Sequence, residues 1–445
     1  FVLNIDGFKV KIKYNDYGEI AEYTDYLADE VYYYNYDYQN RLINVNTKSG
    51  TNITYTYDDL SRLVNKTNIN GISNYGYDSN DKLTSESINS IYNINYSYNN
   101  DSFKELSTIN FYISNNNVYN KTYTYETKGS YYTGRIKEVT YTLDEDTIKY
   151  MYEYDDRSNI TSVIELKNNT KIYEETNTYN DLNQLTNQII AINNTTYECL
   201  YFYDENSNLL AHGINKTKEN GISAIENICF SEYAFNSQNE MVTQTIGSES
   251  ITNLYQNIYQ TLGRPNLYKG YEFGYNFDNL EYMENGKYRI IYTYNSQGIR
   301  TSKQVTNKME NKTTLTKYIL EGNLIIKEIV TGDENYTVNY HYDKNNELVG
   351  FTYNNENYSY IKDLQGNINK IVDDEGDVMV EYYYSGYGIL LNSIDNSNIN
   401  LSNINPFRYR GYYQDKETLF YYLNARFYDS DAGRFITMDD ISYLG

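Results

Sequence analysis

The sequence predicts an all-β protein built of β-hairpins that pair edge to edge into one continuous sheet. Three observations support this prediction: 59 of the 445 residues are tyrosine, a short tyrosine-rich pattern recurs along the chain, and only two prolines interrupt it. Aromatic and β-branched residues favour strands, and proline cannot donate to a strand ladder. We therefore expect a long sheet with few interruptions.

The repeated unit reads Tyr-x-Tyr-Asp and is followed, after four or so residues, by Leu or Ile. The first clear copies end at Asp37, Asp58 and Asp78. Two tyrosines at i and i+2 lie on the same face of a strand, aspartate with small polar neighbours favours a turn, and the aliphatic residue begins the returning strand. A single hairpin is marginal in water, so neighbouring copies must pair. Later copies occur at 96–99, 123–126, 152–155, 178–180, 201–204, 233–236, 275–278, 292–295 and 340–343.

The composition favours a thin wall over a thick core. The mean hydropathy is −0.74 and the formal net charge is −23, so much of the buried apolar area must come from tyrosine, which keeps a hydroxyl that needs a partner or water. Low hydropathy with high charge is also typical of disorder, but disordered segments are poor in the aromatic residues that are abundant here. The acidity argues against nucleic acid as the main partner and suits a basic cargo.

The sequence contains no apolar run of about 18 residues that would span a membrane, and its first residues lack the order of a signal peptide. It begins without Met and ends at Gly445. We interpret both ends as cuts in a longer polypeptide. Its two cysteines, Cys199 and Cys229, do not make a disulfide framework.

The repeat resembles that of the YD-repeat family, which includes Rhs proteins, the C component of insecticidal toxin complexes and teneurins. For residues 1–400, the resemblance implies a spiral of strands that forms at least part of a hollow shell. In bacterial members, it further implies that the shell encapsulates a C-terminal toxic domain of the same polypeptide.

A more specific pattern starts at Asn405 with NPFRYRGYY and continues to Phe435. It resembles the Rhs repeat-associated core, to which we assign residues 401–445. Its arginines are suited to binding carboxylates and strand-end carbonyls, so we expect them to close one end of the shell, although solvated surface charge is the alternative. The sequence departs from the family pattern at Leu419, Ser430 and Asp440. The predicted shell-closing residues are Arg408, Arg410, Gly411, Tyr412, Arg426, Asp429, Gly433 and Arg434.

The resemblance also implies an aspartate-dependent self-cleavage site after this core. Asp439 matches the family aspartate, so it is the candidate catalytic residue, with a structural role in a turn as the equal alternative. Its partner aspartate and the scissile bond would lie beyond Gly445. We therefore expect no enzymatic activity from this chain alone.

The sequence contains no phosphate-binding loop, HExxH motif, nucleophile elbow or paired CxxC. Cys199 and His212 would supply only half of a zinc site, which needs four ligands. His341 lies between two repeat tyrosines, so its side chain should face away from them. The repeat aspartates lack the dense alternation of a calcium-binding loop. We therefore predict neither a metal nor a cofactor.

Together these features predict a non-enzymatic shell segment of a secreted or cell-surface bacterial toxin, which encapsulates an effector domain encoded downstream. Delivery machinery or a cell-surface glycan would be a further partner. The alternative is an adhesin that stacks exposed tyrosines on glycans, which the absence of tryptophan weakens.

Overall fold

The computed structural model describes residues 2–4, 10–100, 103–129, 131–218, 224–248, 252–260, 263–276, 279–424 and 426–436. Within these ranges nearly all regular structure is antiparallel strand, arranged in sheets of 22, 14 and four strands. In each sheet every strand pairs with its neighbours in sequence. The prediction of an all-β chain of paired repeat hairpins is confirmed.

The first sheet contains β1 to β22, which are Val2–Asn4, Val10–Tyr14, Ile20–Asp25, Glu30–Tyr36, Leu42–Thr47, Asn52–Tyr57, Leu63–Asn68, Gly71–Tyr77, Leu83–Ile88, Tyr92–Tyr98, Leu106–Ile113, Asn116–Lys128, Tyr131–Thr142, Thr147–Tyr154, Ile160–Lys167, Thr170–Tyr179, Leu185–Ile192, Thr195–Tyr203, Leu209–Lys218, Ala224–Phe235, Met241–Gly247 and Thr252–Gln256. The second contains β23 to β36, which are Ile258–Gln260, Arg264–Tyr268, Tyr271–Asn276, Asn279–Glu284, Tyr288–Tyr294, Arg300–Asn307, Lys312–Glu321, Leu324–Gly332, Tyr336–Tyr342, Leu348–Tyr353, Glu356–Lys362, Ile368–Val372, Val378–Tyr384 and Leu390–Asp395.

The aspartate of each repeat organises the turn between two strands. Asp58 accepts hydrogen bonds at Oδ1 from the backbone N–H groups of Leu60 (3.0 Å) and Arg62 (2.9 Å). Ser61 adopts the left-handed conformation, with φ of 63°, which small polar residues tolerate better than bulky ones. The turn chemistry predicted from the repeat is therefore present. The same pair of Oδ1 contacts, to residues two and four positions on, is made by Asp37, Asp78, Asp155, Asn180, Asp204, Asn236, Asn295, Asp343, Asp363 and Asp373.

The second tyrosine of the repeat joins one hairpin to the preceding one. The strand register shifts between Thr56 and Tyr57, and the Tyr57 hydroxyl donates to the carbonyl of Leu42 at 2.8 Å. Because the hydroxyl donates to a backbone carbonyl, the tyrosine can be half-buried here without leaving a buried polar group unpaired. Equivalent bonds are donated by Tyr36, Tyr77, Tyr98, Tyr125, Tyr154, Tyr179, Tyr203, Tyr342 and Tyr384 to the carbonyls of Ile20, Leu63, Leu83, Leu106, Ile136, Ile160, Leu185, Ile325 and Ile368.

The two large sheets face each other and bury their aromatic side chains between them. Tyr92 is fully buried and donates to the carbonyl of Tyr358 at 2.8 Å across the interface. Asn89 of the first sheet contacts His341 Nδ1 at 2.8 Å. The chain therefore curls so that later hairpins lie against earlier ones, and His341 is a buried interface residue.

The C-terminal core lies against this interface. It contains the helix α1 (Leu401–Ile404), a 3-10 turn (Tyr409–Gly411) and the small sheet of β37 to β40, which are Tyr413–Gln414, Tyr421–Leu423, Arg426–Asp429 and Arg434–Phe435. Tyr421 donates to the carbonyl of Gly388 at 3.0 Å. The core thus shares a hydrophobic cluster with both large sheets.

Neither helical segment in the described ranges is long and apolar enough to cross a lipid bilayer.

Candidate functional site at the C-terminal core

A fully buried carboxylate, Asp415, joins the core to the second large sheet. Arg300 donates from Nη1 to its two carboxylate oxygens at 2.8 and 3.1 Å. Lys303 Nζ lies 3.1 Å from Asp415 and 2.9 Å from Glu417. Burial opposes ionisation of Asp415, but the two cations outweigh it and hold its pKa below the usual range. The pairing therefore keeps a charged carboxylate in a dry interior.

Tyrosine rings surround the buried guanidinium of Arg300. A cation over an aromatic face is attracted by the negative charge density of the ring, and four rings make this environment favourable without further carboxylates. The Tyr292 hydroxyl completes the cluster by donating to Asp415 at 3.0 Å. The four ring centroids lie 4.2, 4.8, 4.9 and 5.4 Å from the guanidinium carbon and belong to Tyr422, Tyr413, Tyr318 and Tyr292.

A second charged cluster forms where the core meets both large sheets, with Lys269 between β24 and β25 of the second sheet and His212 on β19 of the first. Lys269 Nζ lies 3.1 Å from Asp429 and 3.1 Å from Asp431. His212 Nε2 contacts Asp431 Oδ1 at 3.0 Å. Burial disfavours the charged form of Asp431, yet Lys269 and His212 hold its pKa well below the usual range. The first cluster thus attaches the core to the second sheet, and the second cluster attaches it to both sheets.

Among the predicted shell-closing arginines, Arg408 binds a carbonyl of the helix α1 and Arg434 binds a turn carbonyl. Arg408 donates to the carbonyl of Ser402 at 2.5 Å, and its guanidinium carbon lies 4.5 Å from the centroid of the Tyr382 ring. Arg434 donates to the carbonyl of Asn239 in the first sheet at 3.1 Å. These two side chains therefore connect the core with neighbouring backbone.

The guanidinium of Arg426 lies over the ring of Phe435, with its carbon 3.7 Å from the centroid. Arg410 is exposed, and it is its backbone N–H that donates to Asn367 Oδ1 at 2.9 Å. The predicted group therefore includes one residue whose side chain faces solvent.

The remaining predicted residues act through the backbone or by burial. Gly411 and Gly433 have φ of 67° and 61°, a conformation that glycine adopts without strain. The carbonyl of Tyr412 accepts from the N–H of Arg408 at 3.0 Å, and Asp429 is the buried partner of Lys269. Asp439 lies outside the described residues.

The sequence reasoning missed the wall residues that pair with the core, namely Arg300, Lys303 and Lys269. One signal was present: the fifth residue after the turn aspartate is aliphatic in regular copies, as at Leu63 after Asp58, whereas Arg300 occupies this position after Asn295. A cation at the apolar position of a repeat predicts a buried anionic partner.

Two groups of side chains in the described ranges have the composition to hold a metal ion. Asp373, Glu375 and Asp377 form an acidic turn whose carboxylates are partly or fully exposed, a common arrangement without any ion. His212, Cys229 and Asp431 lie in the second charged cluster. The second group therefore differs in burial and in ligand chemistry.

Comparisons with known proteins agree with the repeat architecture. The family model described as RHS Repeat matches residues 36–73. The tRNA3(Ser)-specific nuclease WapA of Bacillus spizizenii is 27% identical over 250 residues, which are 51% of this chain and 10% of that protein. The tRNA nuclease WapA of Bacillus subtilis is 30% identical over 149 residues, or 33% of this chain and 6% of that protein. The chain thus spans a tenth or less of these relatives.

Among solved structures, that of TcdB2-TccC3-Cdc42 aligns with 97% of this chain and 27% of its own, at 13% identity and a TM-score of 0.48. The chain therefore carries an RHS-type repeat at residues 36–73 and is similar over part of its length to the WapA proteins.

Proposed function

We propose that the chain is a non-enzymatic wall segment of a shell that encapsulates a toxin or effector domain of the same polypeptide. The observation that carries this proposal is the buried attachment of the core to the wall, through Asp415 on one side and Asp429 with Asp431 on the other. A rigidly held core would fix the point at which a following domain enters the shell.

The wall has the continuity that a container needs. Each hairpin pairs with the one before through ladder hydrogen bonds, and in many copies a tyrosine hydroxyl adds a further bond, so solvent meets few breaks in the sheet. A groove beside the core, lined by Lys303, Glu328 and Arg408 among others, has a volume of about 560 Å³. This volume suits a peptide segment, so enclosing a whole domain would require further repeats of a longer polypeptide.

The relatives named as tRNA nucleases match this chain over a small part of their length. In the proposed arrangement, the toxic activity belongs to a separate domain and the repeats serve as its enclosure. The polypeptide would then be secreted or displayed at the cell surface. In the full-length protein, Asp439 would take part in self-cleavage at a bond beyond Gly445, which would release the cargo.

The repeat tyrosines favour this proposal over glycan adhesion. Tyr57 and Tyr154 point their hydroxyls at backbone carbonyls and are partly buried, so their rings are not free to stack on a sugar. Strongly exposed rings such as Tyr17 and Tyr38 lie in turns. An adhesin would instead present a row of open rings on one face.

The proposal is tested by limited proteolysis of the full-length protein, with the fragments identified by mass spectrometry. We expect the domain after the core to survive protease concentrations that digest the same domain produced alone. Asp415→Asn should expose it by loosening the core, whereas Asp58→Asn at the solvated edge should leave it protected. Rapid digestion of that domain in the intact wild-type protein would overturn the proposal.

A further inference from the structure

His212, Cys229 and Asp431 bring three kinds of metal-binding group to one buried place. His212 lies on β19, Cys229 on β20 and Asp431 in the turn between β39 and β40. Their ligand atoms all lie within 4.8 Å of one another. Cys199 and Cys229 both lie opposite Ile214, on the two strands that flank β19. The thiol that belongs to this group is that of Cys229, whose Sγ lies 3.8 Å from Asp431 Oδ1.

The distances in this cluster are close to those of a tetrahedral site. Asp431 Oδ1 lies 3.0 Å from His212 Nε2, 3.0 Å from Ser231 Oγ and 3.8 Å from Cys229 Sγ. With zinc–ligand bonds of about 2.0–2.3 Å, neighbouring ligand atoms around tetrahedral zinc are about 3.3–3.6 Å apart. Small side-chain movements would therefore bring these groups into coordination distance.

The charge of the cluster also favours a cation. Asp429 and Asp431 share the single ammonium of Lys269, which leaves one negative charge in excess if His212 is neutral. A divalent ion bound with the thiolate of Cys229 adds one net positive charge and balances the cluster.

Two buried polar atoms on side chains that contact Asp431 have no hydrogen-bond partner among the described residues. These are Oε1 of Gln244 and Nδ1 of His212, on side chains that are 0% and 3% exposed as residues. Gln244 reaches the cluster, because its Nε2 donates to Asp431 Oδ2 at 3.1 Å. Buried polar atoms are normally satisfied, so this site has unused binding capacity.

We infer that His212, Cys229 and Asp431 form a site for a zinc-class divalent ion, with Ser231 or water as the fourth ligand. Imidazole and thiolate favour such borderline ions over magnesium or calcium. Since His212 and Cys229 belong to the wall and Asp431 to the core, the ion would clamp the two together. This inference concerns the chain itself and does not depend on any cargo.

The test uses the 445-residue chain after chelator treatment, with Zn²⁺ and Co²⁺ as probes. We expect about one equivalent of bound zinc after dialysis and, with Co²⁺, a thiolate-to-metal absorption band. Cys229→Ser should abolish the band and weaken zinc binding at least about 10-fold. Cys199→Ser, which removes the other thiol, is the matched control and should keep both the absorption band and the zinc affinity.

A second readout needs no variant. Zn²⁺ should slow alkylation of Cys229 in the wild-type chain, followed by mass spectrometry, and Mg²⁺ should not. The inference is overturned if zinc does not slow alkylation of Cys229. It is overturned as well if the chelator-treated chain, incubated with zinc and then dialysed, holds no stoichiometric zinc. It is also overturned if a folded Cys229→Ser variant binds zinc as tightly as Cys199→Ser, because binding would then be adventitious.

Discussion

The solvated edge of the wall and the junction with the core both pair an acid with a base, in opposite environments. At the edge, Arg62 binds Asp58 at 2.7 Å and donates to the carbonyl of Asp78 in the next repeat at 3.1 Å, and both charged side chains are 24% exposed. At the junction, the side chains of Arg300 and Asp415 are 0% exposed. The same arginine–aspartate ion pair is therefore partly exposed to solvent at the edge and excluded from solvent at the junction.

This difference determines what each region contributes. A solvated ion pair adds little to stability, and the edge contact recurs at Arg41 and Arg135, so the loss of one copy is tolerable. A buried pair that loses one partner leaves an uncompensated charge. The wall is therefore stabilised by repetition, whereas the core depends on a few specific residues.

The largest expected effect is that of Asp415→Asn. It leaves Arg300 and Lys303 without their shared carboxylate, so we expect a loss of about 3–5 kcal/mol in the free energy of unfolding. Urea unfolding measures this loss, and Asp58→Asn is the matched control at the edge, where the loss should be much smaller. Equal losses in the two variants would contradict the distinction between the regions.

The pH dependence should have opposite signs for two carboxylates, one buried inside the wall and one at the junction. Burial raises the pKa of Glu86, inside the wall, to about 7. Its folded-state pKa lies above the unfolded value of about 4.3. Between these two pKa values the folded state therefore binds more protons than the unfolded state. The free energy of unfolding should fall as pH rises from about 4.5 to 8. Asp431 has a lowered pKa, so its contribution is complete above the unfolded value of about 3.9 and is lost in stronger acid.

Thermal unfolding at pH 5 and pH 8 separates these two cases. Glu86→Gln should stabilise the chain more at pH 8 than at pH 5, because only the charged carboxylate is penalised. Asp431→Asn should destabilise it by a similar amount at both values. A Glu86→Gln effect that is independent of pH would contradict a pKa of about 7, because the carboxyl group would then keep one protonation state throughout the range.

A smaller effect is expected from removing single repeat hydroxyls. Tyr57→Phe and Tyr154→Phe each leave a backbone carbonyl without its donor, and each should cost about 0.5–1.5 kcal/mol. The two residues lie on strands eight apart in the sheet, or about 38 Å, so the double variant should show the sum of both losses. Tyr38→Phe, at an exposed ring, is the control and should change urea unfolding by less than about 0.5 kcal/mol.

The smallest effect is that of Leu419→Gly. Leu419 is exposed and has φ of 63°, which costs a leucine about 1–2 kcal/mol. Glycine relieves this strain but raises the entropy of the unfolded chain, so we expect a stabilisation below about 1 kcal/mol in urea unfolding. A clear destabilisation would mean that the leucine side chain makes a contact that its exposure does not suggest.

Much of the wall could be predicted because the residues that define each hairpin lie close together in the sequence. Tyrosine at alternate positions, a turn aspartate and an aliphatic residue lie within one hairpin, and Asp58 with Leu63 behaves as this pattern predicts. The register shift before Tyr57 was not predicted, because no residue type marks it. The curling of the second sheet onto the first depends on contacts between residues such as Tyr92 and Tyr358, which are distant in sequence.

The candidate site was less predictable. The motif around Arg408 and Arg434 indicated a core, but their contacts are with backbone carbonyls, whereas the buried carboxylates pair with cations of the wall. Arg300 and Asp415 are far apart in sequence and share no motif. Cys229 was not singled out from the sequence for the same reason, because it contacts Asp431 across about 200 residues of chain.

Hydrogen exchange followed by mass spectrometry tests most directly whether the core and wall form one folded body joined by buried charge. The amides of Tyr421–Leu423 should exchange as slowly as those of Tyr336–Tyr342 in the wild-type chain, and Asp415→Asn should accelerate Tyr421–Leu423 selectively. Fast exchange of Tyr421–Leu423 in the wild type, or an unchanged rate in Asp415→Asn, would contradict the account.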